Sequence, residues 1–328
     1  TLMISNQARG AAIMLAMAPI MSTSGAFVHS VARPLQAAFA PSHAARSMLL
    51  RPAKNVASRP AIQQHARFAA PARQFSRIHM KYSTKEVGTF PSEEYRVFFF
   101  DDGKEISPWH GIPTWADKSK NIVNAVIEIT KNTRPKMEVA TKETLNPIKQ
   151  DMKKGKLRDY PLDIFWNYGM IPKTWENPGE EHPELKAFGD DDPVDVVEIG
   201  SAPIARGAVV QIKALGTLAM IDEGELDWKV IGISTADPKA ASIQSLADLE
   251  REFPGQVDRI RDWFRNYKSN GTFDPKTGWT GITEGQNSFG LGEKCMDEKY
   301  TAKVIDETAE SYHKLLTGAI KAEKLSLK

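Results

Sequence analysis

The chain has 328 residues, enough for one large domain or two ordinary ones, and a formal net charge of +2. That small net charge hides an asymmetry, because residues 1–85 contain eleven Lys or Arg and no Asp or Glu, whereas the remainder contains 32 basic and 41 acidic residues. Cys295 is the only cysteine, which excludes an internal disulfide and a cysteine-based metal site.

The acid-free segment at the start of the chain is rich in Ala and Ser, and its Arg residues are dispersed. This composition is typical of an organelle transit peptide rather than of a folded domain. We therefore assign residues 1–80 to a targeting leader, disordered and cleaved, and residues 81–328 to one folded domain. A disordered basic tail that binds nucleic acid or a membrane is the alternative interpretation.

Within the leader, residues 10–20 are apolar but shorter than the ~20 residues of a membrane-spanning helix. They fit the apolar core of a signal peptide that starts at Met3, with a small-residue cleavage site at 36–41. A signal followed by a transit sequence resembles the two-part leaders of plastids acquired by secondary endosymbiosis; a single-stage plastid or mitochondrial leader remains open. We predict the plastid (chloroplast) stroma, with the mitochondrion as alternative.

Ordered structure is expected to begin near Tyr82, and residues 101–104 (DDGK) are typical of a hairpin turn. Residues 136–140 alternate in polarity and are expected to return as a hairpin beside 121–130. Several strands at short spacing indicate an antiparallel sheet or a small barrel. The predicted strands are 95–100, 121–130, 136–140, 194–199, 208–220 and 228–233.

Helices are predicted late in the chain, at 245–253, 256–268 and 296–316, where apolar residues recur at helical spacing. Residues 270–292 are rich in Gly and Thr and are predicted to form a long surface loop. After residue 85, no stretch is long and apolar enough to cross a bilayer, so we expect no membrane partner for the mature form.

Residues 190–195 (DDDPVD) place four carboxylates in six positions. At ~4 Å and an effective dielectric constant of about 20, each close pair costs on the order of 4 kcal/mol, which a bound cation would offset. Oxygen ligands without His or Cys favour Mg²⁺ over Zn²⁺. An EF-hand loop is excluded, because it requires Gly at its sixth and Glu at its twelfth position, where this chain has Asp195 and Ser201.

Two further polar patches accompany this run. Lys136 and Glu138 share one strand face, with Glu128 across the expected hairpin; alone, they would be ordinary charge pairs on a solvated edge. Asp222 and Asp227 flank a Gly-containing bend that can direct both carboxylates to one point, although a plain hairpin turn has the same pattern.

Cationic and hydroxyl groups complete the pattern. Residues 149–158 are strongly basic, and Tyr168, Tyr267 and Lys268 lie in or beside apolar segments. The two tyrosines are equally compatible with core aromatics whose hydroxyls reach the surface. Acids that gather divalent cations, together with Lys, Arg and Tyr donors, indicate a site for a highly charged phosphate compound.

At residues 189–196 (GDDDPVDV) the sequence resembles soluble family I inorganic pyrophosphatases, whose signature is D-x-D-P-x-D. The resemblance extends over residues 82–320, and the segment 166–169 (WNYG) with the ending 325–327 (LSL) is most similar to plastid members. Other segments that resemble the eukaryotic branch are 143–148, 154–158, 174–176, 222–229 and 262–268.

This resemblance implies a mainly β fold with flanking α-helices (α+β), namely an OB-like closed five-stranded β-barrel with peripheral helices and extra strands. It also implies Mg²⁺-dependent hydrolysis of pyrophosphate to two phosphates by direct attack of a metal-activated water, with several ions per site.

The resemblance further assigns roles to individual residues. Asp192 would be the general base, and Glu128 would belong to the same acidic cavity. The implied Mg²⁺ ligands are Asp190, Asp195 and Asp227 for the tightest ion, with Asp195 bridging to a second, Asp222 for a third, and Glu138 for a further ion through water. The implied substrate-binding residues are Lys136, Arg158, Tyr168, Lys229, Tyr267 and Lys268.

The sequence departs from the family pattern in two places. The segment from Arg158 to Trp166 is shorter than in cytosolic relatives. Cytosolic relatives carry a second tyrosine four residues before the Tyr168 position, and this tyrosine is often assigned as a proton donor. This chain has Ile164 there. We expect the role of that tyrosine to be lost or moved to a metal-bound water. The 270–292 loop replaces a short Pro-Asp-Gly turn beside the expected phosphate side.

Two other functions remain as alternatives. An OB-like barrel can serve as a nucleic-acid or protein-binding module without catalysis, but the net acidic mature domain would repel a phosphate backbone, so we expect no nucleic-acid partner. A metal phosphohydrolase acting on nucleotides is the third interpretation. Either a monomer or a homodimer is compatible with the sequence.

Overall fold

A computed structural model describes residues 81–274, 276–322 and 324–328 of the chain. The predicted leader at 1–80, with its signal and cleavage segments, lies outside the described residues, and the domain boundary remains a prediction. Among the helices of the described part, none combines the length and the apolar character that crossing a membrane requires.

The described residues form a mainly β structure. Its helices are α1 (Pro108–Gly111), α2 (Leu246–Glu252), α3 (Gln256–Asn266) and α4 (Glu298–Leu316). In chain order its strands are β1 (Tyr82–Val87), β2 (Arg96–Asp101), β3 (Lys104–Ile106), β4 (Trp115–Asp117), β5 (Ile122–Ile129), β6 (Met137–Val139), β7 (Ile148–Gln150), β8 (Met152–Lys153), β9 (Lys156–Leu157), β10 (Asn167–Met170), β11 (Phe188–Gly189), β12 (Asp195–Glu198), β13 (Val209–Asp222), β14 (Glu225–Ser234), β15 (Thr272–Asp274), β16 (Gly278–Thr280) and β17 (Ser288–Phe289).

Five strands close into a ring in the order β5–β10–β12–β14–β13, with β13 pairing back onto β5. The pairing of β12 with β14 is parallel, and the other four are antiparallel. The closed ring confirms the expected OB-like five-stranded barrel with flanking helices. Closure leaves no free edge among these strands, which makes the barrel a rigid base for side chains at its rim.

Strand β5 shows why the barrel forms from this sequence. Its residues IVNAVIEI are buried along almost the whole strand, because both of its faces are covered. Asn124 and Glu128 are four residues apart and share one face, so the apolar run carries two buried polar groups on that side. Glu128 is thereby fixed on a barrel strand rather than on a solvated edge.

The hairpin predicted between residues 121–130 and 136–140 is wrong. Strand β6 pairs with β7 in a second, five-stranded sheet ordered β1–β2–β7–β6, with β3 beside β2. Pro135 has no N–H to offer to a ladder, and the Lys136 N–H donates to the Arg158 carbonyl at 3.0 Å instead of to β5. Glu128 nevertheless reaches β6, because its carboxylate accepts the Val139 N–H at 2.6 Å.

The three predicted helices are confirmed as α2, α3 and α4, each ending within two residues of the predicted end. Ser245 caps α2 by accepting the Asp248 N–H at 3.1 Å, and Asp297 caps α4 by accepting the Lys299 and Tyr300 N–H groups. Helix α3 buries Val257, Ile260, Trp263 and Phe264, which lie on one face at helical spacing. This apolar face packs α3 beside the barrel.

The predicted loop at 270–292 is more ordered than expected. Strands β15 and β16 form a hairpin within it, and the Phe273 and Trp279 rings meet edge to face at 5.3 Å across that hairpin. Strand β17 then joins the barrel by pairing with β13. Short alternating segments separated by Gly are too brief to stand out from loop composition, which explains the incorrect prediction.

Candidate active site

One cavity of about 130 Å³ lies between the barrel strands, β6 and the end of α3. Every residue for which the sequence predicted a role in the site lines it. These thirteen residues are Glu128, Lys136, Glu138, Arg158, Tyr168, Asp190, Asp192, Asp195, Asp222, Asp227, Lys229, Tyr267 and Lys268. Side chains from stretches up to 140 positions apart in the sequence therefore converge on one point, as predicted, while their individual roles remain predictions.

The acidic loop before β12 directs alternate aspartates to the cavity. Asp191 adopts a left-handed backbone conformation with φ of 73°, which Asp tolerates better than most residues, and its carboxylate accepts the Trp175 indole N–H at 3.1 Å. Asp190 and Asp192 face the cavity on either side of it. Backbone hydrogen bonds between Glu176 and residues Asp191 and Asp192 hold the loop in place.

Sheet register brings the remaining aspartates together. Strands β13 and β14 form a hairpin whose turn residues, Glu223 and Gly224, both have positive φ. Asp227 and Lys229 are two apart on β14 and share a face. The parallel pairing of β12 with β14 sets Asp195 directly opposite Lys229, so the Asp195 and Asp227 carboxylates meet at one lysine.

Lys229 is the most deeply buried charge of the site, with 1% of its surface exposed. Its ammonium bonds the Asp195 carboxylate at 2.5 Å and the Asp227 carboxylate. The Tyr168 hydroxyl also donates to Asp195. Burial alone would lower the pKa of Lys229, but the two carboxylates raise it well above its usual value. The lysine is therefore a permanent positive charge beside the aspartates.

The cavity raises the pKa of three of its aspartates. Burial, followed by the nearby Glu138 carboxylate, raises the pKa of Asp192 to about 7. Burial likewise raises the pKa of Asp227 to about 7, and the pKa of Asp190 lies well above its usual value for the same reason. Burial is the main cause of these shifts, and the neighbouring carboxylates add to it.

The donor set fits Mg²⁺. Seven carboxylates and four cationic side chains line the cavity, so the acids would exceed the cations by three charges once all of them are ionised. The acidic side chains supply hard oxygen ligands, and no His or Cys is among the lining residues. Asp190, Asp195, Asp227, Asp222 and Glu138 are the residues that would hold the ions.

Two lining or adjacent residues were missed by the sequence reasoning. Carboxylate oxygens of Glu176, Asp190 and Asp227 lie within 4.8 Å of one another. One Glu176 oxygen accepts the Trp228 N–H at 2.7 Å, and the other is buried without a partner among the described residues. The only sequence signal for Glu176 was that segment 174–176 resembles the eukaryotic branch of the family. The second missed residue is Tyr160, which also lines the cavity. It is two positions from Arg158, a spacing that indicates a shared strand face.

Three of the cationic side chains that line the cavity form ion pairs with acidic side chains. Lys136 bonds Glu138 at 2.7 Å, and Arg158 bonds Asp151 at 2.9 Å. Lys268 bonds Asp222 at 2.5 Å.

Tyr267 and Tyr168 combine the two interpretations that the sequence left open. Both rings belong to or pack against the aromatic core, whereas the Tyr267 hydroxyl donates to Asp222 at 3.1 Å and that of Tyr168 to Asp195. Burial raises the pKa of both hydroxyls, so they remain hydrogen-bond donors at neutral pH.

The chain is similar in sequence to known proteins. The family model described as inorganic pyrophosphatase matches residues 125–313. Soluble inorganic pyrophosphatase 1, chloroplastic, of Chlamydomonas reinhardtii is 51% identical over 249 residues, covering 75% of this chain and 84% of that protein. Soluble inorganic pyrophosphatase 6, chloroplastic, of Arabidopsis thaliana is 49% identical over 248 residues, covering 74% and 77%.

A solved structure agrees with the fold. The inorganic pyrophosphatase of Schistosoma japonicum superposes with a TM-score of 0.68 at 38% identity, covering 75% of this chain and 85% of that one. The family model matches more than half of the chain, and the chain covers most of the length of relatives to which it is about half identical. The chain belongs to the inorganic pyrophosphatase family.

Proposed function

We propose that this protein hydrolyses inorganic pyrophosphate to two phosphates, with Mg²⁺ as its cofactor. The observation that carries the proposal is the convergence of seven carboxylates and four cationic side chains in one small cavity of a chain that belongs to this family. Bound Mg²⁺ would offset the repulsion among the carboxylates, screen the charge of the substrate and lower the pKa of a water molecule.

Asp192 is the residue best suited to act as general base. Its pKa of about 7 is close to neutral pH, so it can accept a proton from the attacking water and release it afterwards. Its backbone N–H donates to Asp190 at 3.0 Å, which fixes the base beside the proposed metal ligands. Asp190, Asp195 and Asp227 would hold the tightest ion, and Asp195 would bridge to a second. Asp222 would hold a third ion, and Glu138 a further one through water.

The donors around the cavity would bind the two phosphoryl groups. Lys229 is held rigidly at its buried position, which favours a fixed substrate geometry. The cations stabilise negative charge that develops on the leaving phosphate, and the hydroxyls donate hydrogen bonds to phosphoryl oxygens. The proposed substrate-binding residues are Lys136, Arg158, Tyr168, Lys229, Tyr267 and Lys268.

The decisive experiment measures phosphate release from pyrophosphate by the full chain, with Mg²⁺ and with EDTA. We expect rapid release that requires Mg²⁺ and much slower release from ATP under the same conditions. Equal rates with ATP and pyrophosphate would favour the nucleotide phosphohydrolase. No release from either compound would leave the binding module without catalysis as the remaining function.

We also propose that residues 1–80 direct the protein to the plastid stroma, because the Chlamydomonas and Arabidopsis relatives are named chloroplastic. A fluorescent protein fused after residue 80 should accumulate in plastids; accumulation in mitochondria would support the alternative. For the oligomeric state we propose a monomer or homodimer, which light scattering of the purified protein distinguishes from larger assemblies.

A further inference from the structure

Tyr160 reaches the cavity because its backbone runs beside the start of β6. An isolated antiparallel bridge joins Pro135 and Asp159. The Tyr160 N–H donates to the Arg134 carbonyl at 2.8 Å. In an extended segment, side chains two positions apart point to the same side. Tyr160 therefore faces the same cavity as Arg158, and both residues line it.

The Tyr160 ring is fixed, whereas its hydroxyl is available. Only 5% of the residue is exposed, and its ring packs edge to face on Trp263 at 5.0 Å and on Tyr267 at 5.6 Å. The Tyr168 and Tyr267 hydroxyls each donate to a carboxylate. No described residue forms a hydrogen bond with the Tyr160 hydroxyl, so this lining residue offers the cavity a donor that the protein does not use.

The charges around Tyr160 suit a phosphate rather than a carboxylate. Three cationic side chains of the cavity lining, Lys136, Lys229 and Arg158, act on the phenol to lower its pKa, against one carboxylate, Asp195, that acts to raise it. Burial outweighs them and raises the pKa of Tyr160, so the hydroxyl keeps its proton at neutral pH. A protonated phenol in a cavity that an ammonium and a guanidinium also line adds a neutral donor to two charged ones for an anionic group.

Ile164 lies elsewhere. This residue, which occupies the position of the second tyrosine in cytosolic relatives, is 1% exposed and belongs to the apolar core. Its N–H and carbonyl bond the backbone of Thr133 and Asn132, and it does not line the cavity. In this chain, therefore, the segment after Arg158 places Tyr160 at the cavity and Ile164 in the core.

We propose that Tyr160 is a substrate-binding residue whose hydroxyl donates a hydrogen bond to a terminal phosphoryl oxygen of pyrophosphate, beside Lys136 and Arg158. This inference rests on the proposed function, and it gives Tyr160 a position at the substrate, whereas the sequence predicted only that the role of the missing tyrosine is lost or moved to a metal-bound water. The hydrogen bond is present in the bound substrate and in the transition state, so it affects binding more than turnover.

The test replaces Tyr160 with Phe, which keeps the ring packing and removes only the hydroxyl. In the full chain with Mg²⁺, we expect KM for pyrophosphate to rise by about 10- to 100-fold, the range for a hydrogen bond to a charged group, with little change in kcat. The affinity for methylenediphosphonate, which resists hydrolysis and has the same terminal oxygens, should fall by the same factor in calorimetry.

Tyr300→Phe is the matched control, because Tyr300 is half-buried against Trp228 and lies outside the cavity lining. It should leave KM and diphosphonate affinity unchanged, and both variants should match the unaltered chain in Tm. A Tyr160→Phe variant whose KM and diphosphonate affinity stay within about twofold of the unaltered chain would overturn the proposal.

The measurement of diphosphonate binding separates this inference from the proposed function. If the unaltered chain binds the diphosphonate but releases no phosphate from pyrophosphate, the proposed function fails while the comparison of affinities still decides the role of Tyr160. If the unaltered chain with Mg²⁺ does not bind the diphosphonate, the substrate-binding role of Tyr160 is overturned as well.

Discussion

Asp191 and Asp192 are adjacent aspartates with different environments. The Asp191 carboxylate accepts the Trp175 indole N–H, whereas Asp192 lies in the cavity, where its pKa of about 7 results from burial and from Glu138. The left-handed conformation at Asp191 produces this division, because it turns one side chain out of the site between two that point in.

Asp192→Asn tests the role of the base. We expect kcat to fall by about 100- to 10,000-fold, because an amide cannot accept the proton, while the fold is retained. Asp191→Asn is the matched control, since an Asn side-chain oxygen can still accept from Trp175 and the residue does not line the cavity. Steady-state phosphate release measures both variants. Near-normal turnover of Asp192→Asn would exclude Asp192 as the base.

Glu176→Gln tests whether the buried glutamate supports the metal site. Glutamine keeps the size and can still accept the Trp228 N–H, but it removes a carboxyl group that can ionise beside Asp190 and Asp227 when a cation binds. We expect Mg²⁺ affinity, measured by calorimetry without substrate, to fall by about 10-fold or more, as for other residues that support metal ligands. The exposed Glu180→Gln is the control. Equal affinities of the two variants would contradict the prediction.

Helix α3 and its C-terminal residues form the aromatic wall of the site. The Trp263 ring stacks on Tyr267 with an interplanar angle of 8° and meets Tyr160 edge to face. One buried side chain thus positions two tyrosines of the cavity. The helix contributes to the site through packing rather than through any charge of its own.

Trp263→Ala should separate packing from chemistry at this wall. We expect the free energy of unfolding, from urea titration, to fall by about 3–5 kcal/mol, the usual cost of truncating a buried Trp. KM for pyrophosphate should also rise, because Tyr160 and Tyr267 lose their shared packing partner. Ile305→Ala on α4 is the control, since Ile305 is fully buried in the other apolar cluster. It should lower stability without changing KM; a KM rise of the same size in both variants would contradict the expected coupling.

Elements with long apolar runs were predicted correctly, because burial on both faces leaves a strong local signal, as in β5 and β13. The pairing of β6 with β7 was not predictable from the same pattern, because the partner of a strand depends on where the chain travels between them. Strand β10 was missed because its residues NYGM are short and interrupted by Gly169. A Cβ at that glycine would collide with the Val126 backbone, so the need for glycine at this position comes from tertiary packing, which the local sequence does not show.

In the site, too, local sequence predicts some features and others depend on the folded chain. Asp190, Asp192 and Asp195 were identified because they belong to a run of four acids in six residues, which is locally dense. Glu176 and Tyr160 are single residues without such neighbours, and only the folded chain brings them to the cavity. Sequence density therefore identified the charged centre of the site, while the groups that support it or face the substrate required the structure.

At the scale of the whole molecule, the acidic cavity should make stability depend on pH and Mg²⁺. Burial raises the pKa of Asp192 and Asp227 to about 7, and it raises the pKa of Asp190, Glu176 and Glu128 well above their usual values. The folded state therefore holds more protons than the unfolded state near neutral pH, so the free energy of unfolding must fall as pH rises.

Other titrating groups fix the window in which this fall is visible. Burial lowers the pKa of His110 and His182, so they increase stability as pH rises toward about 6.5 and contribute little change beyond it. Asp151 and Glu143 have lowered pKa values, so their contribution is already complete above about 4. Between about pH 6.5 and 8, the cavity acids should therefore dominate the slope.

The measurement is Tm in EDTA and in Mg²⁺ across that window. In EDTA we expect Tm to fall as pH rises, because ionised acids repel one another in the cavity. With Mg²⁺ the fall should disappear or reverse, because ions that bind the deprotonated ligands stabilise the folded state by mass action. Asp192→Asn should reduce the slope in EDTA by removing one of the groups. A Tm in EDTA that rises with pH, or a slope that Mg²⁺ leaves unchanged, would show that the carboxylates do not share one crowded cavity.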